Sequence, residues 1–133
     1  MRSVNGQTGP GVITVLIPLP VLYNPDEAGR QEPVEDEKFE QTAEEIARMF
    51  GGGTLFRFRR DEPRGFWWDQ ELVHRDTLAL LEVDVPDTLE ARTRLRRYAR
   101  DVLLDRFRQK AIYLKFVGPV ETLIVTDEQV TRE

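Results

Sequence analysis

Apolar residues recur with two different periods along this chain. Residues 12–17 are almost continuously apolar and rich in β-branched side chains, the pattern of a strand buried on both faces. From Glu35 to Phe50 the apolar positions Phe39, Ala43, Ile46 and Phe50 fall at spacings of 4, 3 and 4, a single helical stripe. Glu35, Asp36 and Glu37 sit in its first turn, where the helix dipole favours acids, and Gly51-Gly52-Gly53 stops it. Period two returns at Thr54–Arg59, predicting Phe56 and Phe58 in the core with Leu55, Arg57 and Arg59 on the opposite face. A turn at 61–65 follows, Phe66-Trp67-Trp68 resumes the strand, and Asp69-Gln70-Glu71 turns the chain into a long strand over 72–85. Asp87 or Thr88 caps a second helix near 89–109, with Leu95, Tyr98, Ala99, Val102, Leu103, Arg106 and Phe107 in register. Ala111–Val117 is the last core strand; Gly118-Pro119 breaks it, and Val120–Thr126 reads as a further strand or extension.

The order is β-α-β-β-α-β, which predicts an α+β, ferredoxin-like sandwich with two helices on one face of an antiparallel sheet. Right-handed crossovers give the spatial strand order 4-1-3-2, with an extra C-terminal strand. The 133 residues suit one domain, with a loose lead-in over 1–11 and a polar tail over 127–133. Prolines 18 and 20 either end the first ladder or lie where no donor is needed.

Between Phe50 and Lys115 several features stand together: Gly53-Thr54 opening a strand, Gly65 with an aromatic and Trp67, then Tyr98, Arg106-Phe107 and Gln109 late in a helix. In these the chain resembles small bacterial ferredoxin-like families. The resemblance covers about half the chain and implies the fold; it implies no activity.

Composition narrows the chemistry. There are no cysteines and one histidine, which removes disulfides, thiol catalysis and metal sites built on several Cys or His. No cofactor is implied. The net charge is −5, against whole-molecule attraction to nucleic acid or anionic membrane. Residues 3–25 carry no charge, which could suit a signal segment, but Pro18 and Pro20 interrupt the apolar run and no small-residue cleavage site follows. Read as a strand, the segment leaves the cytoplasm as the default location.

The triple glycine follows a helix and precedes a strand, the reverse of a phosphate-cradling loop, so it reads as a cap. Helix two carries eight bases between Arg92 and Lys110 against Asp101 and Asp105, while helix one carries six acids against Lys38 and Arg48. Neighbouring helices of opposite charge predict mutual compensation, with nucleic-acid binding through Arg96, Arg97 and Arg100 a minor alternative.

The open sheet face is the main functional candidate. Alternation puts Arg57, Arg59, Glu82, Asp84, Tyr113 and Lys115 there, over an apolar floor of Leu78 and Leu80. Arg57 and Arg59 would pair with Glu82 and Asp84, within the sheet or across a twofold homodimer. Trp67 and Trp68 point to opposite faces; Trp68, near Phe66 and Tyr23, is the candidate exposed anchor. Among aromatics on the two central strands only Tyr113 qualifies as a base-stacking platform, which argues against RNA reading. His74 and Asp76 share a face at i, i+2 and could hold one ion or act as a base with its orienting acid, but two ligands are few for a metal site. The expected protein is a non-catalytic, self-associating binding or assembly module, homodimeric or meeting a protein partner. The alternative is a small enzyme using His74, Asp76 and the arginines on a phosphorylated or carboxylated substrate.

Overall fold

The computed structural model describes residues 11–58, 62–121, 123 and 125–127. β1 (Val12–Pro20) pairs antiparallel with β4 (Leu72–Pro86) on one side and with β5 (Lys115–Val120) on the other. β2 (Thr54–Phe56) lies outside β4, so the sheet runs β2-β4-β1-β5, and this is the expected 4-1-3-2 order. β3 (Arg64–Asp69) pairs only with the first half of β4, forming a two-stranded arm that continues beyond the main sheet. α1 (Asp36–Phe50) and α2 (Leu89–Tyr98) pack on one face of the sheet. This is the ferredoxin-like α+β fold.

The core lies between these layers. Ile13, Val15, Ile17 and Leu19 from β1 alternate inward with Ala79, Leu81, Val83 and Val85 from β4. They meet Phe39 and Ile46 of α1, and Leu95 of α2 with Leu103 and Phe107 beyond it. Phe39 and Phe107 close the middle edge to face, their centroids 5.3 Å apart. The strand expected over 12–17 extends to Pro20 without losing pairing to β4. Val21 N–H donates to Thr77 O, so by alternation the nitrogens of Pro18 and Pro20 face away from β4, on the side where β5 ends opposite Leu16. Each proline occupies a position where a donor would have no strand to reach.

Helix ends follow the expected chemistry. Gly51 adopts the left-handed conformation (φ 92°) and its N–H returns to Ala47 O at 2.7 Å. Thr88 Oγ1 accepts from Ala91 N–H and caps α2. The second helix is not uniform. It passes through a π-helical stretch at Ala99–Leu103 into a final short turn, α3 (Leu104–Arg106).

Three expectations are corrected. Phe56 and Phe58 are not core: each is 36% exposed, whereas Leu55 packs on the core opposite Leu81. Pairing of β2 with β4 sets the phase, and one residue of shift exchanges the faces of a strand. Arg57 is therefore not on the open face. Its guanidinium lies 4.0 Å from the Phe39 ring centroid and 3.3 Å from Asp36. The last strand starts at Lys115 rather than Ala111, and it includes Gly118-Pro119. Of the segment expected beyond, Val120 ends β5, and the described residues of 121–126 lie outside strands. The lead-in over 1–10, Arg59 and most of the C-terminal tail lie outside the described residues.

Candidate functional site

Register defines the open face row by row. Leu16 in the centre stands beside Glu82 on β4 and Lys115 on β5. One step along β1, Pro18 stands beside Leu80, which in turn stands beside Phe56. Phe56 stacks on Phe58, centroids 6.2 Å apart. In the other direction the Thr14 hydroxyl donates to Asp84 at 2.6 Å, with Val117 across the strand. Leu78 follows Leu80 opposite Pro20. Leu80, Leu78 and Glu82 are half-buried, and Lys115 and Tyr113 are exposed, Tyr113 at 60%. The expected floor of Leu78 and Leu80 is thus in place, and it is larger than expected because Leu16, Pro18 and Phe56 join it.

Where β5 gives out, this face deepens into a hollow of about 760 Å³. Pro18, Pro20, Leu78, Phe66 and Tyr113 make its apolar walls, and Lys110 and Lys115 stand at its edge. Two amides are tied to backbone: Gln109 Nε2 donates to Leu22 O and Phe107 O, and Gln31 Nε2 donates to Tyr23 O. Among the described residues the lining contains no carboxylate and no histidine.

The arm adds a second apolar area. Phe66 is 58% and Trp68 67% exposed, with exposed Val73 beside Trp68 and exposed Leu72 on the other face of the arm. Phe66 and Trp68 share one face of β3, and Val73 is the cross-strand partner of Trp68. Trp68 is exposed, as the sequence indicated, but Tyr23 is buried elsewhere and bonds Glu35 and Lys38 through its hydroxyl. His74 and Asp76 stand in β4 opposite Trp67 and Gly65; their side chains lie outside the described part. The expected pairing of Arg57 with Glu82 or Asp84 is replaced by its contact with Asp36.

The helix face is held by one compact polar cluster. Arg106 donates from Nη1 and Nη2 to the two oxygens of Glu45, at 2.9 and 3.0 Å, bridging the helical layers in forked geometry. The Tyr98 hydroxyl donates to Glu45 Oε1 at 2.6 Å, and Arg106 also donates to the hydroxyl of fully buried Thr42. The Arg106 bond holds the Glu45 carboxyl below its usual range against an opposing burial effect, while burial, with Glu45 beside it, raises Tyr98. Lys38 is held charged chiefly by its contact with the Tyr23 hydroxyl, then by Glu35. Compensation between the helices thus rests mainly on Glu45 and Arg106. Arg96, Arg97 and Arg100 line a second hollow, which shares Lys110 with the first.

No family model matches this chain, and no curated protein matches it. Solved structures do. The divalent cation tolerance protein CutA1 from Thermus thermophilus superposes with a TM-score of 0.57 at 15% identity, over 84% of this chain and 87% of that one. The divalent ion tolerance protein CutA1 from Ehrlichia chaffeensis does so at 0.51 and 7% identity, over 93% and 92%. The likeness is one of fold. It spans nearly the whole length of these proteins, and at such identity it transfers no residue roles.

Sequence reasoning missed Leu16, Pro18 and Phe56 on the open face and Lys110 beside it. A signal was present for the first two. β1 is patterned for burial on both faces, yet helices cover only one.

Proposed function

We propose that this chain is a non-catalytic, self-associating module, and that the open sheet face is its contact surface. The pattern of β1 carries the reading: an apolar strand at the centre of the sheet has Leu16 and Pro18 facing outward, with Leu78, Leu80 and Phe56 beside them. A patch of this kind on a single chain invites a cover. A second copy fits because the face is self-complementary in charge as well as apolar. The exposed arm bearing Phe66 and Trp68 adds apolar area able to reach a neighbouring copy. Isologous packing makes the expected assembly a homodimer.

Light scattering on the purified protein should give twice the 15.5 kDa chain mass. Leu80→Arg should return it to the monomer, because two uncompensated charges would enter each interface. A monomer at ~100 μM, well above the micromolar Kd range of a modest interface, overturns the reading. A larger closed assembly keeps self-association and overturns the twofold arrangement.

The enzymatic alternative draws on the 760 Å³ hollow, whose size and apolar walls suit a small molecule. Of its expected arginines, Arg57 sits on the helix side and does not contribute, and Arg59 lies outside the described residues. The two similar folds are named for tolerance of divalent cations. Here cysteine is absent, histidine occurs once, and among the described residues no three His, Cys, Asp or Glu side chains gather. A cation site is therefore no part of the proposal.

A further inference from the structure

α2 and the segment leading to β5 border a second, shallow hollow of about 550 Å³, which meets the sheet-face hollow at Lys110, Ala111 and Leu114. Arg96, Arg97, Arg100 and Lys110 surround it, and among the described residues its lining has no acid. In a chain of net charge −5 this is a local concentration of positive charge. Arg96 and Arg97 are exposed, and among the described residues neither they nor Lys110 have an ion-pair partner. Arg100 is bound by Asp101 through Nε and Nη2, which leaves Nη1 available. Arg96 and Arg100, one helical turn apart, repel, while Asp101 answers Arg100 and, more weakly, Arg97. The backbone is irregular at the same place. Ala99 and Arg100 belong both to the hollow and to the π-helical stretch, and such stretches gather at functional sites. The floor between the cations is apolar, with Leu104 and Ile112 contributing.

We propose that this hollow binds a small organic phosphate, the guanidinium groups and Lys110 taking the phosphate and the apolar floor taking the organic body. Guanidinium forks match phosphate oxygens in geometry as well as charge. A small ligand fits better than a nucleic acid strand, because the cations gather around one shallow depression with an apolar floor and the rest of the chain is acidic. The proposal does not depend on self-association.

Calorimetric titration with phenyl phosphate, inorganic phosphate, phenol and a short single-stranded oligonucleotide tests it. Phenyl phosphate should bind best, inorganic phosphate more weakly, and phenol and the oligonucleotide not measurably at physiological salt. The Arg96→Gln/Arg97→Gln double variant should bind phenyl phosphate at least about tenfold more weakly. Its melting temperature should change little, since the repulsion with Arg100 and the attraction of Arg97 to Asp101 are removed together. Arg100→Gln, at a residue that lines this hollow and not the sheet-face one, is a second probe expected to weaken binding, while Arg30→Gln, exposed and lining neither hollow, should leave it unchanged. Failure of phenyl phosphate to bind at millimolar concentration overturns the proposal. So do unchanged affinity in the double variant and tighter binding of the oligonucleotide.

Discussion

Arg57 shows why a strand's phase is hard to read from side-chain type. Two phenylalanines flank it, and hydrophobicity alone puts them in the core. Yet the arginine stem and guanidinium cover Phe39 while the charge reaches Asp36 at the surface, so a long cation serves as an apolar lid. The displaced Phe56 and Phe58 stack on each other in partial solvent. Phe58→Ala should accordingly cost about 1 kcal/mol or less in denaturant melts. Phe107→Ala, fully buried against Phe39, should cost about 3–5 kcal/mol. Equal losses would show the observed facing to be wrong. Glu45 gives a different residue-scale prediction. Its folded-state pKa is depressed by the Arg106 hydrogen bond foremost, so its contribution is complete above the ordinary carboxylate value and fades as pH falls through the lower, folded value. Glu45→Gln should therefore melt below the wild type at pH 7, and the gap should narrow on acidification below about pH 4.5. A gap that stays constant down to about pH 2 would mean that charge is not what this residue contributes.

At the scale of elements, most of the fold was legible because its signals are local and agree with one another. The α1 stripe, Gly51 and Thr88 each state one helix boundary, and the structure places all three as expected. The arm also follows the sequence: Gln70 and Glu71, both at positive φ, make a two-residue turn between paired strands. The less legible elements depend on remote partners. Ala111–Leu114 alternates like a strand but has no neighbour to pair with, because Pro18 and Pro20 offer no donor on that side of β1. The same cause opens the sheet-face hollow, so the candidate site was only partly visible in advance: Leu78, Leu80, Tyr113 and Lys115 were found, and Arg57 was misplaced. Gly118 supplies a test of how closely β5 lies on β1. A Cβ there would collide with Ile13 Cγ2, and Ile13 is buried and β-branched, with little freedom to turn away. Gly118→Ala should cost about 1–3 kcal/mol. In combination with Ile13→Ala, which removes the obstructing methyl, the loss should be smaller than the sum of the two single losses; strict additivity would show that the contact is not the cause.

The whole molecule adds a constraint that no single element contains. Glu82, Leu16 and Lys115 lie side by side on three neighbouring strands, spaced about 4.8 Å apart. Place a second copy face to face with the first, and let the twofold axis run parallel to β1 between the sheets. Rotation about that axis leaves Leu16 over Leu16 and exchanges left with right. Glu82 of each copy then stands opposite Lys115 of the other, twice over, around a central apolar contact. The arrangement also places the Leu80 and Pro18 positions of both copies in the same apolar layer. Lys115→Glu alone should weaken the dimer, since it sets two carboxylates against each other at both symmetry-related sites. Glu82→Lys alone should do the same with two ammonium groups. Combining the two substitutions reverses every sign and restores opposition of unlike charges, so the double variant should regain the dimer mass in light scattering. Both side chains reach solvent in the single chain, so neither change should alter the fold, and melting curves of the dissociated variants provide the control. If the double variant stays monomeric while the wild type is dimeric, the copies meet in another orientation, and the exposed arm with Trp68 becomes the surface to mutate next.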